Sequence, residues 1–199
     1  MCSVATRSDQ KVLRTPAMSE DDTRWFTERG FAVVQTLLLL ERTCRNETVR
    51  FAHINQLTWR RLKSRRNAEL GASMLRLDAE AFPPPWSFSR DALASACLAT
   101  DEHVVLISGE LDSSMNGFAI VGRSARNAYL QRIAVRCDEQ RRGVGTALVR
   151  HALAWANHRG AQTMLVNTEP SNVGALALYR RLHFATLPQS LYVLERPVH

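Results

Sequence analysis

Ala128-Tyr129-Leu130-Gln131-Arg132-Ile133-Ala134-Val135, a polar turn, then Gln140-Arg141-Arg142-Gly143-Val144-Gly145-Thr146 and an apolar run to His158 form the stretch that decides the fold. The first part reads as a strand. The last part reads as a helix from Gly143 to about His158, stopped by Gly160. Two glycines two apart let the backbone approach a ligand without side-chain interference. A helix start leaves its first N–H groups unpaired, and its dipole favours an anion there. A pyrophosphate meets both demands, with each hydrogen bond to a charged group contributing roughly 1.5–3 kcal/mol. Arg141 and Arg142 add a phosphate contact or screen charge. A Walker loop needs a lysine after its last glycine, whereas Thr146 follows Gly145 directly. The three-glycine dinucleotide fingerprint is also absent. Taken alone, the glycine pair leaves a plain helix start open.

Working outward, three strand-like runs precede the helix: His103 to Ser108, Met115 to Gly122 and Ala128 to Val135. Their short polar turns suit antiparallel connections. Upstream, Asn67 to Phe82 has Leu70, Met74, Leu77 and Ala81 at helical spacing, and Pro83-Pro84-Pro85 ends it. Ser89 to Leu98 predicts a second helix capped by Ser87 or Ser89. Gln56 to Leu62 reads as a strand with Leu57, Trp59 and Arg61 on one face. Downstream, Thr163 to Asn167 predicts a strand and Asn172 to Leu182 a helix. Phe184 to Ala185 and Ser190 to Leu194 predict two closing strands.

The chain has 199 residues, 45% hydrophobic and 23% charged, an ordinary globular balance. Its longest apolar run, Phe31 to Leu40, is interrupted by Gln35 and is too short for a bilayer, so no membrane association is expected. The start of the chain lacks a secretory pattern. Cys2, Cys44, Cys97 and Cys137 are scattered without metal or redox spacing, which predicts free thiols, no metal and a reducing, cytoplasmic setting. Net charge is +7, and lysine occurs only at Lys11 and Lys63. The densest basic stretch, Arg60 to Arg66, has few aromatics nearby and reads as a solvated turn rather than a nucleic-acid footprint.

The expected organisation is a disordered segment over residues 1–20, a helix–strand unit over 21–50, and the main domain over 56–199. The middle piece repeats the end of the chain. Trp25-Phe26-Thr27-Glu28-Arg29-Gly30-Phe31 parallels Leu178-Tyr179-Arg180-Arg181-Leu182-His183-Phe184, and each is followed by an apolar strand ending Leu-Glu-Arg. The 21–50 unit therefore resembles the tail of a second lobe, a remnant of the C-terminal domain.

The Gln-Arg-Arg-Gly-Val-Gly segment resembles the acyl-coenzyme A signature of the GNAT superfamily of N-acetyltransferases, with the resemblance covering about residues 56–196. Ala81-Phe82-Pro83-Pro84-Pro85-Trp86, and Ser171-Asn172 followed by Ala175-Leu176-Ala177-Leu178-Tyr179, are similar to segments of the bacterial ribosomal-protein-alanine N-acetyltransferase branch. The resemblance implies an α/β (α+β) fold: a mixed, mostly antiparallel sheet with a central splay and helices on both faces. It implies that Ile133, Ala134 and Val135 hydrogen-bond the pantetheine arm of acetyl-coenzyme A. Arg141, Arg142, Gly143, Val144, Gly145 and Thr146 would wrap the pyrophosphate, Asn172 would touch the coenzyme near its reacting end, and Tyr179 would protonate the departing thiolate.

Acetyl transfer needs an amine stripped of its proton and a stabilised thiolate. A tyrosine, with a reference pKa of about 10 against about 8.5 for a cysteine-like thiol, can donate without prior ionisation. Where the resembling branch has a glutamate base, this chain has Asn167, which cannot serve. Glu169, two residues on, is the alternative base, directly or through a water; an α-amine with a pKa near 8 needs little help. The acceptor is expected to be a small-molecule or protein amine, a protein N-terminal α-amine among the candidates, with a homodimer as the candidate assembly. A non-catalytic acyl-coenzyme A-binding module and a basic nucleic-acid-binding protein are the competing readings.

Overall fold

The computed structural model describes residues 3–7, 10–45, 54–111 and 114–198. Arg42 to His53, a polar stretch that reads as a linker in the sequence, lies mostly outside the described residues. The chain divides into two compact units, Arg42–Leu165 and the pair of segments Met1–Glu41 and Val166–His199.

The unit over Arg42–Leu165 holds strands β4 (Ile54–Leu57), β5 (Glu102–Ser108), β6 (Gly117–Ser124) and β7 (Asn127–Val135), consecutive and antiparallel. Residues 104–108 and 117–122 are buried without alternation, as expected of strands covered on both faces. One cover comes from α3 (Ala68–Ala81) and α4 (Arg90–Leu98). Leu70, Met74 and Leu77 of α3 and Leu93 and Cys97 of α4 pack with Val105, Ile107, Phe118 and Ile120. The other cover is α5 (Val144–His158). Its Val144 and Leu148 side chains lie 3.2 and 3.3 Å from where a Cβ on Gly117 would stand, on the face opposite Phe118. Ser89 caps α4 by accepting from the Ala92 amide at 3.1 Å, and Gly160, at φ +79°, follows the end of α5.

Strand β8 (Thr163–Thr168) begins in this unit. It runs parallel to β7, pairing Asn127–Tyr129 with Thr163–Leu165. β7 shifts register against β6 between Leu130 and Arg132, leaving Gln131 as a bulge. From Leu130 onward, the β8-side edge of β7 has no paired strand residue among the described residues. This is the splay, and the sheet is mixed and mostly antiparallel as expected.

The other unit contains β1 (Ser3–Arg7), β2 (Gln10–Arg14), α1 (Glu20–Thr27), β3 (Ala32–Thr43, whose last two residues fall in the first-described unit), α6 (Val173–Arg181) and β9 (Ala185–Pro197). β9 pairs antiparallel with both β2 and β3. The helix–strand repeat closes the same way twice. The Phe31 amide donates to the Phe26 carbonyl at 3.1 Å and the Phe184 amide to the Tyr179 carbonyl at 3.0 Å. Gly30 and His183, at φ +80° and +60°, make the turn, and the ring pairs Phe26–Phe31 and Tyr179–Phe184 stand 5.3 and 5.5 Å apart. The pairing of β3 with β9 exchanges equivalent positions. Ala32 faces Glu195 while Ala185 faces Glu41, and Val33 faces Leu194 while Thr186 faces Leu40. The two copies are thus related by a local two-fold axis.

Four sequence expectations need correction. Residues 1–20 contain β1 and β2 rather than disorder, because long-range pairing with β9 satisfies backbone groups that local composition cannot report. Gln56 to Leu62 is not one strand: β4 ends at Leu57 and a short helix, α2 (Trp59–Leu62), follows, its Trp59 amide donating to His103 Nε2 at 2.9 Å. The two closing strands are one, β9. Pro188, without an N–H, falls where Leu38 and Leu40 of β3 face Ser190 and Thr186, so a bulge absorbs it. The sequence also reads as a short helix over Thr23 to Gly30 capped by Asp21, Asp22 or Thr23; α1 instead begins at Glu20, with Ser19 as its cap residue.

Candidate active site

The glycine segment forms a left-handed entry into α5. Arg141 and Gly143 have φ of +60° and +92°, a region disfavoured for residues with a Cβ. Gly143 is the cap residue and lies open, with no atom within 4 Å of where a Cβ would be. The first intrahelical bond runs from the Ala147 amide to the Gly143 carbonyl at 2.9 Å. The amides of Val144 and Gly145 therefore begin the helix without intrahelical acceptors. Such amides beside an accessible glycine fit a diphosphate.

The flanking side chains keep this loop in order and leave one cation spare. Gln140 Nε2 donates to the Val135 carbonyl at 3.3 Å, tying the loop to the end of β7. Arg136 donates to Asp138 at 2.6 Å, and this bond, opposed by some desolvation, holds the Asp138 carboxyl below its ordinary range. Arg142 reaches Glu139 at 3.2 Å, which tempers its availability to a ligand. Arg141 is exposed and makes no ion pair among the described residues. Ile133 and Val135 are half-buried and Ala134 is buried within the splayed stretch, where main-chain N–H and C=O groups have no strand partner on the β8 side.

The remaining candidates lie on the segment from β8 into α6. Asn167 is exposed near the end of β8, which stops at Thr168, so Glu169 stands just past the strand. The Glu169 carboxylate accepts from Gln35 Nε2 of β3 and from Ser171 Oγ, the latter at 3.1 Å. Asn172 is the cap of α6: its Oδ1 accepts from the Ala175 amide at 3.1 Å, which leaves its amide nitrogen to donate elsewhere. Tyr179 follows seven residues later, within α6, and is 2% exposed. Burial raises its hydroxyl above the ordinary tyrosine pKa of 10.0, so it stays protonated across physiological pH.

Two contacts escaped the sequence reading. Gln35 was legible only as an interruption in an apolar run, and its hold on Glu169 depends on β3 being placed there. Buried Asp78 and half-buried Arg132 form an ion pair (2.6 Å); the available signal was a charge beside the Leu70, Met74 and Leu77 stripe and another within an apolar strand. Among the described residues no group of three or more potential metal ligands occurs. No described helix is long and apolar enough to cross a membrane.

Comparison with known proteins supplies the family. Over 83 residues the chain is 37% identical to the ribosomal protein bS18-alanine N-acetyltransferase of Escherichia coli strain K12, covering 41% of this chain and 56% of that protein. It is 37% identical over 76 residues to the streptothricin acetyltransferase of Streptomyces lavendulae, covering 37% of this chain and 40% of that protein. The chain thus spans about half the length of the curated relatives it matches. Among solved structures, a GCN5-related N-acetyltransferase from Sphaerobacter thermophilus shares the fold at a TM-score of 0.61 and 17% identity, covering 94% of this chain and 60% of that one. The ribosomal-protein-S18-alanine N-acetyltransferase structure from Escherichia coli does so at 0.56 and 23%, covering 73% and 93%. A model of the acetyltransferase (GNAT) family matches residues 71–184, more than half of the chain, and to that family the chain belongs.

Proposed function

We propose that this chain is an N-acetyltransferase that moves an acetyl group from acetyl-coenzyme A to a primary amine by direct attack in a ternary complex, in the cytoplasm of a bacterium. The observation that carries this reading is the open, left-handed Gly143 entry to α5 next to the unpaired edge of β7. The amides of Val144 and Gly145 bind the diphosphate, with Thr146 in the same first turn, Arg141 as the added cation and Arg142 in reserve. The main chain of Ile133, Ala134 and Val135 extends the splayed edge onto the pantetheine amides. Asn172 contributes its amide nitrogen near the reacting end.

When bound, acetyl-coenzyme A supplies a thioester carbonyl. The amine nitrogen forms a bond to that carbon and the carbon–sulfur bond breaks. Glu169, held by Gln35 and Ser171, takes the proton the amine sheds, directly or through a water. Tyr179, kept protonated by burial, donates its proton to the departing sulfur. The curated relatives include enzymes named for a ribosomal-protein alanine and for streptothricin, so the acceptor is an amine of a protein or of a small molecule.

The test is thiol release from acetyl-coenzyme A against a panel of peptides with free N-termini, lysine, polyamines and aminoglycosides. Turnover with at least one amine is expected, whereas coenzyme binding with no turnover across the panel overturns the reading. With an active acceptor, Glu169→Gln is expected to slow the reaction most at low pH, where the amine is mainly protonated. Equal slowing at every pH removes Glu169 from the base role.

A further inference from the structure

Resting on that reading, we propose that Arg132 and Asp78 form a clamp that fixes the 82–88 loop beside the coenzyme strand and so determines which amine acceptors are used. Arg132 precedes Ile133 on β7, the end of the splayed edge farther from the diphosphate loop. Its Nε donates to Asp78 Oδ1 at 2.6 Å and its Nη2 to Oδ2 at 2.8 Å, a bidentate pair. The same Nη2 donates to the Trp86 carbonyl at 2.7 Å. Asp78 Oδ2 also accepts from the Phe88 amide at 2.6 Å. The guanidinium stands 3.5 Å from the ring centre of Phe82 and 4.1 Å from that of Phe88. Both ends of the loop and its centre thus converge on one ion pair, and Asp78 is 1% exposed.

A buried ion pair is a poor route to stability, because desolvating both charges offsets much of their attraction, and a well-packed apolar pair serves as well or better. What this pair supplies is direction. Pro83, Pro84 and Pro85 have no N–H to donate, and within the turn the Trp86 amide donates to the Pro83 carbonyl at 3.0 Å. Arg132 and Asp78 add anchors from outside the loop, on the Trp86 carbonyl and the Phe88 amide. Pro83 and Pro84 remain exposed and Trp86 half-buried, which leaves apolar surface for an incoming acceptor next to the thioester end of β7. Arg132 and Asp78 are positioning residues, since their charged atoms are occupied by one another and by the loop.

The test uses the full chain and two acceptors of different class that the amine panel shows to be substrates. Arg132→Lys loses the bidentate geometry and keeps the charge. It is expected to raise KM for the better acceptor about tenfold, to narrow the kcat/KM ratio between the two acceptors, and to leave the acetyl-coenzyme A dissociation constant within about twofold. Hydrogen exchange at the Phe88 amide is expected to accelerate. If that variant does not fold, the double variant Arg132→Met with Asp78→Leu removes both charges together and is expected to fold with the same loss of acceptor discrimination. A folded variant with wild-type acceptor preference and a protected Phe88 amide overturns the clamp while the acetyltransferase reading stands. A loss confined to coenzyme affinity also overturns it. Absence of turnover with every amine in the wild type overturns the reading on which it rests.

Discussion

Tyr179 and Phe26 occupy equivalent places in the two copies of the helix–strand motif, yet only Tyr179 carries a hydroxyl. The N-terminal copy keeps the ring packing and lacks the hydroxyl, so packing and the proposed proton donation can be tested apart. Tyr179→Phe in the C-terminal copy recreates the arrangement of the first, so the ring contact with Phe184 should survive. Turnover is expected to fall about 10²–10⁴-fold with little change in coenzyme affinity, and steady-state kinetics with a thermal-shift titration check both. Wild-type turnover where chemistry limits the rate would remove Tyr179 as the acid. The same substitution reports on burial. A tyrosine whose folded pKa is raised contributes stability that is complete below its unfolded pKa, about 10, and is lost as pH rises toward the folded value. Tyr179→Phe should therefore lose stability less steeply above pH 10 than wild type, measured by denaturant unfolding at several alkaline pH values. The cysteines offer a second check. Burial pushes the Cys97 thiol up to about 12, and Cys44 is fully buried, whereas Cys137 is exposed. Alkylation at pH 8 followed by peptide mass mapping should label Cys137 in the native protein and Cys97 and Cys44 only after denaturation.

At the scale of elements, legibility followed locality. α3, α4, α5 and β8 were readable because their caps, apolar periods and stops lie within a few residues of one another; Ser89, the Leu70–Met74–Leu77 stripe and Gly160 are such signals. The glycine entry into α5 was readable for the same reason. The α2 turn was not, because Leu57 and Trp59 alternate correctly for a strand, and what ends the strand is His103 accepting the Trp59 amide from 44 residues away. Nor was β1–β2, whose pairing partner is β9. The Glu169 environment was half legible: the residue stood out, but Gln35 arrives from a different element. The glycine entry to α5 yields the element-scale prediction. A side chain at φ +92° is strained wherever it points, and at Gly143 it would also occupy the open space that the proposed function gives to the diphosphate. Gly143→Val should abolish most of the rise in melting temperature that acetyl-coenzyme A gives wild type, while circular dichroism of the ligand-free protein stays native. A retained shift would mean that the diphosphate binds elsewhere.

At the scale of the whole molecule, the question is what the N-terminal unit does. Its α1–β3 repeat pairs with β9 through a register that interchanges equivalent residues, the relation two identical subunits adopt across a two-fold interface. Here one chain supplies both halves. β9 is also paired on its other side by β2, where Arg14 and Glu195 form a buried ion pair. Removing residues 1–50 strips both neighbours from β9 at once. Glu195 then loses its cation, and a thirteen-residue strand presents two unpaired edges. Breaking a buried ion pair alone costs about 3–5 kcal/mol when the remaining charge stays buried; in the truncated chain Glu195 is partly rehydrated, so the lost strand pairing is the larger penalty. Exposed edges seek partners, and the partner of matching register is the β9 of another truncated chain. The truncated protein is therefore expected to melt lower than the full chain and to self-associate, as a dimer or as aggregate, in light scattering coupled to size exclusion. Adding back a separate peptide spanning residues 10–45 should raise the melting temperature and suppress that association. A truncated protein that is monomeric and as thermostable as the full chain would show that the repeat carries no structural function.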